Sequence, residues 1–428
     1  MQRSTVLRFA QQLRDELVAG GAAGRLGSDE PGGTAGIRGS DENDARAIHG
    51  SDEPVTGRTA GIRGSDESVA GGTAGIRGSD EPPFTIPARL YRDRQRFELE
   101  RDTLFSGPRI VAASASLERG ACLPVDLPGR SALVVRGSDG VLRAFANACR
   151  HRGTRLVDKP CAAKAFVCPY HAWTYDLAGK LIDVPHESSF AGIDLDARGL
   201  VPVPVRERHG LVWLGDHVDT YLGALDGDVA ALGLDGHVMW QRARTTRRCN
   251  WKLVIEAFLD GYHIRVLHRS SVYRFFLDAA SVAEREGAHI RAITGRRALL
   301  EAPADLANVD LRQLATPSLL LFPSTVFVEH PDFLSIMTVH PLAADLTEWD
   351  HMMLVPASRA GEAEHWDRSW QLIEAGVFQG EDLWVCEQAQ LGIDAGAVDE
   401  LLFGSLESPA RWFHAAIEAA LGTKIAAL

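Results

Sequence analysis

NACRHRGTRL (Asn147–Leu156) and VCPYHAW (Val167–Trp173) decide how this chain is read. The first holds Cys149-x-His151 and the second Cys168-x-x-His171, so two cysteines and two histidines arrive as two mixed hooks. Such a quartet suits either zinc or an iron–sulfur cluster. Zinc modules mostly place two cysteines in one hook and two histidines in the other. Mixed hooks suit a [2Fe–2S] cluster in which one iron takes both thiolates and the other takes both imidazoles, a ligation that raises the reduction potential. Each hook follows a strand-like run, and Gly153 and Pro169 let the loops bend around a cluster.

Working outward, the 428 residues are enough for two or three domains. A net charge of −12 argues against nucleic-acid binding, which needs a basic stripe. Six cysteines in a chain of this size do not make a disulfide scaffold, and no uncharged apolar run reaches membrane-spanning length. MQRSTVLRFAQQLRDELVAG lacks the compact apolar stretch of a secretory signal and reads as a short amphipathic helix, so a cytoplasmic location is expected. Beyond it, GIRGSDE recurs at Gly36–Glu42, Gly61–Glu67 and Gly75–Glu81. This segment has too few large apolar residues to offset the entropy of ordering, so residues 1–83 are assigned as a disordered low-complexity tail.

From about Arg109 to Leu214 the texture is that of short strands. A second chemical motif lies some way downstream, in NWKLVIEAFLDGYHIRVLHRS (Asn250–Ser270). Asp260 and His263 stand at i, i+3, on one helix face. His268 is five residues beyond His263, roughly 500° of regular helix, so the helix must end or bulge between Gly261 and Leu267 if both imidazoles are to reach one metal. Two histidines and a carboxylate on one face of an iron leave positions open for O2. The third ligand is expected in FQGEDLWVCEQAQLG (Phe378–Gly392), with Asp382 as the choice and Glu381 and Glu387 as fallbacks. Taken alone, an Asp-x-x-His pair is ordinarily a surface pair, and a carboxylate at a helix start ordinarily a cap.

CRHRG followed by CPYHAWTYDLAGKL, then NWK, E-x3-D-x2-H-x4-H and a late ED…CE..Q.G segment, resembles the α subunits of the ring-hydroxylating Rieske non-haem iron oxygenases from about Phe84 to the C-terminus. The resemblance implies an α+β protein: an all-β Rieske [2Fe–2S] domain at 84–215 followed by a helix-grip catalytic domain at 216–428, an antiparallel sheet with a long helix. It implies that Cys149 and Cys168 bind one cluster iron and His151 and His171 the other. His263, His268 and Asp382 would hold a mononuclear Fe(II), and Asp260 would carry electrons between a Rieske histidine and His263, usually across a subunit boundary. Glu256 would lie behind that site. The implied protein is a homotrimer or other ring, working with O2, a small organic substrate and a separate reductase fed by NAD(P)H, with or without a ferredoxin. The chain itself has no dinucleotide fingerprint and no plant-type ferredoxin motif. The expected reaction is hydroxylation or dihydroxylation of an aromatic or similar apolar molecule. The alternatives are a carnitine- or betaine-type monooxygenase or N-demethylase, a Rieske protein that only transfers electrons, and a zinc-stabilised binding protein. Candidate pocket residues are Phe258, Phe322, Phe327, Val339, Met352, Phe378 and Trp384, an apolar set that equally suits a domain core.

Overall fold

The computed structural model describes residues 1–21, 81–127 and 130–425. It separates a small all-β unit from a larger α+β unit. In the β unit, strands Arg109–Ala113, Leu211–Leu214 and Val205–Arg208 form one sheet. Ala121–Leu127, Arg130–Arg136, Leu142–Ala146 and Cys161–Ala162 form a second, and Ala165–Val167, Thr174–Asp176 and Leu181–Asp183 a third. Between the first two sheets, alternate apolar residues such as Val111, Val134, Ala144 and Val212 close a core. A separate cluster around Phe166, Trp173 and Tyr175 encloses Cys149 and Cys168.

The larger unit is a seven-stranded antiparallel sheet. Its spatial order is His237–Arg247, Leu346–Pro356, Leu334–Ala343, Thr325–Glu329, Ala315–Leu321, His289–Arg296 and Phe276–Glu286. Both faces are covered. In Leu346–Pro356, Trp349, Met353 and Val355 face the helices Trp251–Leu259, Ala363–Trp370 and Ser408–Leu421, whereas Met352 and Leu354 face the opposite cluster. That period of two explains why strand and core are near-synonymous here.

Two segments sit differently from the sequence-based division. Residues 84–107, expected in the Rieske domain, pack on the larger unit. Phe84–Pro87 pairs antiparallel with Glu400–Phe403, and Ile86, Leu90, Tyr91 and Leu104 join the cluster of Trp251 and Phe413. The helix Arg94–Leu104 is tied there by charge as well. Glu100 accepts from Lys252 Nζ at 2.7 Å and from Trp251 Nε1 at 2.9 Å, all three being buried. The second segment is the N-terminal helix Arg3–Gly21, counted above with the tail. It buries Val6, Phe9, Ala10 and Leu13 against Leu277, Leu306 and Leu314, because its apolar residues recur every three or four positions on one face. The GIRGSDE repeats up to Asp80 lie outside the described residues.

Candidate metal centres

The two hooks of the β unit are built by backbone geometry. Cys149 N–H donates to Thr154 O and Gly153 N–H to Cys149 O, a turn closed by Gly153 at a φ of +76°. Cys168 N–H donates to Trp173 O and Ala172 N–H to Cys168 O, with Ala172 itself left-handed at +56°. Two facing turns thereby present their side chains to one another. The His151 and His171 ring centroids are 4.7 Å apart, and His151 stacks on Trp173 at 4.9 Å. Both thiols are buried, and Tyr175 Oη stands 3.3 Å from Cys149 Sγ. His151 Nδ1 is buried and makes no hydrogen bond. A nitrogen withheld from solvent and from every donor suits a metal ligand, and the two-thiol, two-imidazole set fits the Rieske cluster. Cys161 is exposed on the strand Cys161–Ala162.

The second centre forms where the helix Trp251–Leu259 stops. Asp260 leaves the helix in an extended conformation, and the chain restarts as the short helix Ile264–Leu267 with His263 at its N-cap and His268 at its C-cap. The break therefore falls at Asp260–His263, ahead of both histidines, and not between them as expected: Asp260 and His263 do not share a helix face, and the one short turn Ile264–Leu267 carries the two Nε2 atoms to 3.1 Å. Asp382 enters from the end of a π-helical stretch, Gln371–Asp382, of the wide winding that recurs at functional sites. Its Oδ1 is buried without a hydrogen bond, 3.2 Å from His268 Nε2 and 3.6 Å from His263 Nε2. The ligand atoms of His263, His268 and Asp382 all lie within 4.8 Å of one another.

The outer partners fix the protonation pattern. A carboxylate only accepts, so Asp260 Oδ2, 3.1 Å from His263 Nδ1, and Glu381 Oε2, 2.7 Å from His268 Nδ1, each hold a proton on that nitrogen. Both Nε2 atoms are then bare lone pairs facing each other and a carboxylate. That arrangement is repulsive alone and favourable around a cation. Burial works against charge on His268, yet Asp382 and Glu381 outweigh it and raise its pKa, as expected of a site with surplus negative charge. The residues fit a divalent iron held by two imidazoles and a carboxylate, with coordination positions to spare.

Several expectations are redistributed. Glu381, a fallback ligand, instead orients His268 and also accepts from Ser271 Oγ at 2.6 Å. Glu387 accepts from Arg248 N–H and pairs with Arg247. Glu256 is engaged by Tyr91 Oη at 2.7 Å and His414 Nε2 at 2.8 Å, both buried. Of the candidate pocket residues, Phe258 and Phe378 line the cavity beside His263, His268 and Asp382. Phe327, Val339 and Met352 are core, Phe322 packs against it, and Trp384 is half exposed. Reading the sequence missed Arg296 and His330, both of which line that cavity. Neither belongs to a motif; only their strand and turn positions bring them in.

Residues 108–203 match the family model "Rieske [2Fe-2S] domain", and residues 234–423 match "Ring hydroxylating alpha subunit (catalytic domain)". The chain is similar to the carnitine monooxygenase oxygenase subunit of Escherichia coli (strain K12), at 35% identity over 195 residues, 43% of this chain and 52% of that protein. It spans about half the length of the curated relatives it matches. In fold it is similar to a quaternary ammonium Rieske monooxygenase in complex with L-carnitine, with a TM-score of 0.65 and 21% identity over 78% of this chain and 95% of that one. It is equally similar to naphthalene 1,2-dioxygenase from Rhodococcus sp., with a TM-score of 0.66 and 20% identity over 79% and 94%. Two mixed Cys/His hooks on a β unit, a His–His–Asp centre on a helix-covered antiparallel sheet and both family matches coincide in one molecule: the chain belongs to the Rieske non-haem iron oxygenases, as an α-type subunit.

Proposed function

We propose that this protein is the terminal component of an oxygenase that uses O2 and electrons from a separate reductase to oxidise a small organic molecule. The observation that carries the reading is the convergence of His263, His268 and Asp382 at one end of an apolar cavity of about 230 Å³. An electron-transfer protein would have no use for such a cavity. When bound, the cluster supplies single electrons and the mononuclear iron supplies the place where O2 is activated. The chain's own residues do the rest. Cys149, Cys168, His151 and His171 hold the cluster near the surface, His171 being exposed. Asp260 keeps His263 in the tautomer that offers Nε2, while Glu381 does the same for His268. Asp260 is itself part-exposed and adjoins the exposed Tyr262 and Val266, which suits contact with the cluster domain of a neighbouring copy in a ring. Phe258, Val377 and Phe378 give the same cavity apolar walls.

For the substrate, the similarity to carnitine monooxygenase favours a quaternary-ammonium compound over the apolar aromatic molecule expected from sequence. The aromatic side chains in the cavity wall suit either, since ring faces attract an alkylammonium cation as readily as another ring.

The test is EPR on anaerobically purified protein with iron, sulfide and zinc measured on the same sample. A reduced Rieske signal with about three irons per chain is expected. Added reductase and carnitine or glycine betaine should then give substrate-dependent O2 consumption. Colourless, zinc-loaded protein overturns the proposal, and turnover with naphthalene but neither betaine overturns the substrate preference.

A further inference from the structure

Arg296 ends the strand His289–Arg296 and reaches the same cavity as His263, His268 and Asp382. Among the described residues its guanidinium has no carboxylate partner. Nη1 donates to Thr316 Oγ1 at 3.3 Å, and the group lies over the rings of Phe275 and Phe276, 5.5 Å and 5.3 Å from their centroids. Burial lowers its pKa and no acid opposes the shift. Other sheltered arginines of this fold are treated differently: Arg96 meets Glu100 and Glu418, Arg242 meets Asp350, and Arg291 meets Asp228. The two acids that line the cavity, Asp260 and Asp382, are both engaged with the histidines of the metal end.

A sheltered cation without a counter-charge is costly, and the cost is recovered when an anion arrives. The planar fork of a guanidinium matches a carboxylate through two parallel hydrogen bonds, and stacking on two rings holds it ready to do so. Thr316 adds a hydroxyl at the same end. Aromatic and aliphatic side chains, Phe258, Val328, Phe333 and Ile373 among them, make up much of the remaining wall.

Resting on the oxygenase reading above, we propose that Arg296 is the specificity-determining residue of this pocket and that the substrate carries a carboxylate, which Arg296 and Thr316 bind while the apolar or alkylammonium part of the molecule points toward His263, His268 and Asp382. The substrate is then a small organic acid, either a betaine-type zwitterion or an aromatic carboxylate. Simple cations and neutral rings are poor ligands.

The experiment is calorimetric binding of two matched pairs to the anaerobic, iron-loaded protein: glycine betaine against choline, and benzoate against benzamide. The Rieske EPR signal and iron content are recorded on every sample. At least one carboxylate is expected to bind tenfold or more tightly than its counterpart, and Arg296→Gln should abolish that preference while keeping the Rieske signal. Arg296→Lys, which retains charge but not the fork, should give an intermediate preference. The pair that shows the preference identifies the class of acid. Equal binding within both pairs, no binding of either acid at millimolar concentration, or a preference that survives in Arg296→Gln overturns the inference. Wild-type protein without cluster and iron would instead fail the oxygenase reading, so the two failures are distinguishable.

Discussion

Replacing Glu381 tests whether the second carboxylate of the Glu381–Asp382 pair aims His268 rather than binding metal. Its Oε2 lies 2.7 Å from His268 Nδ1 and 2.6 Å from Ser271 Oγ, and its side chain is 21% exposed. Carboxylates in this role typically contribute about 10–100-fold in metal affinity, or about 1.4–2.7 kcal/mol. Partial exposure screens the charge, so the charge and hydrogen-bond contributions should separate. In Glu381→Gln the side-chain carbonyl still accepts from His268 Nδ1–H, and ferrous iron affinity should fall about tenfold. Glu381→Ala loses orientation as well as charge, and the fall should approach about a hundredfold. The assay is anaerobic competition between the protein and a ferrous chelator, with the Rieske visible spectrum as an internal control for folding. Iron affinity of Glu381→Ala within about threefold of wild type would refute the reasoning, because it would mean that His268 is aimed by packing alone.

Asp382→Asn should lose the mononuclear iron and substrate-dependent O2 uptake while keeping the cluster, which metal analysis and EPR on one preparation can resolve. Glu100→Ala strands Lys252, which is 1% exposed, and should cost about 3–5 kcal/mol in chemical denaturation. The double change Glu100→Leu with Lys252→Met should recover most of it, because Lys252 is then no longer an unpaired buried charge and Arg96 keeps Glu418 as its partner. Acid should weaken the fold through His330. Burial pushes its pKa from 6.5 down to about 3, so between those values the unfolded chain takes up a proton that the folded one refuses. Stability should fall as pH drops from 6.5 toward 3, and the slope should be shallower in His330→Gln, as read from denaturation midpoints across that range.

What was legible in the sequence was whatever the chain keeps local. The Rieske hooks are turns of a few residues, so spacing alone exposes them. That the helix cannot run regularly through this motif followed from the five-residue separation, but its break was placed between the histidines whereas it lies at Asp260–His263. Asp382 was chosen from its acidic segment and supported by the family resemblance, whereas Glu381 beside it was named only as a fallback ligand, because its contact with His268 spans 113 residues of sequence. Arg296 gives no signal in the sequence, since nothing in its neighbours says that the carboxylates pairing with other arginines are missing around it. Residues 84–107 were assigned by adjacency to the Rieske motif, although their apolar residues complete the core of the far domain. The N-terminal helix was seen, but the low complexity that follows it concealed that it docks.

The Glu381–Asp382 pair couples two functions in one place. Two consecutive residues address His268 from its opposite ring nitrogens, one carboxylate fixing its proton and the other standing beside its lone pair. A shift of the π-helical stretch by a single residue would displace both at once, so the metal's ligand and the group that aims its neighbour cannot drift apart. Changing the substrate without disturbing the metal site would therefore have to act through the cavity wall and leave this pair untouched.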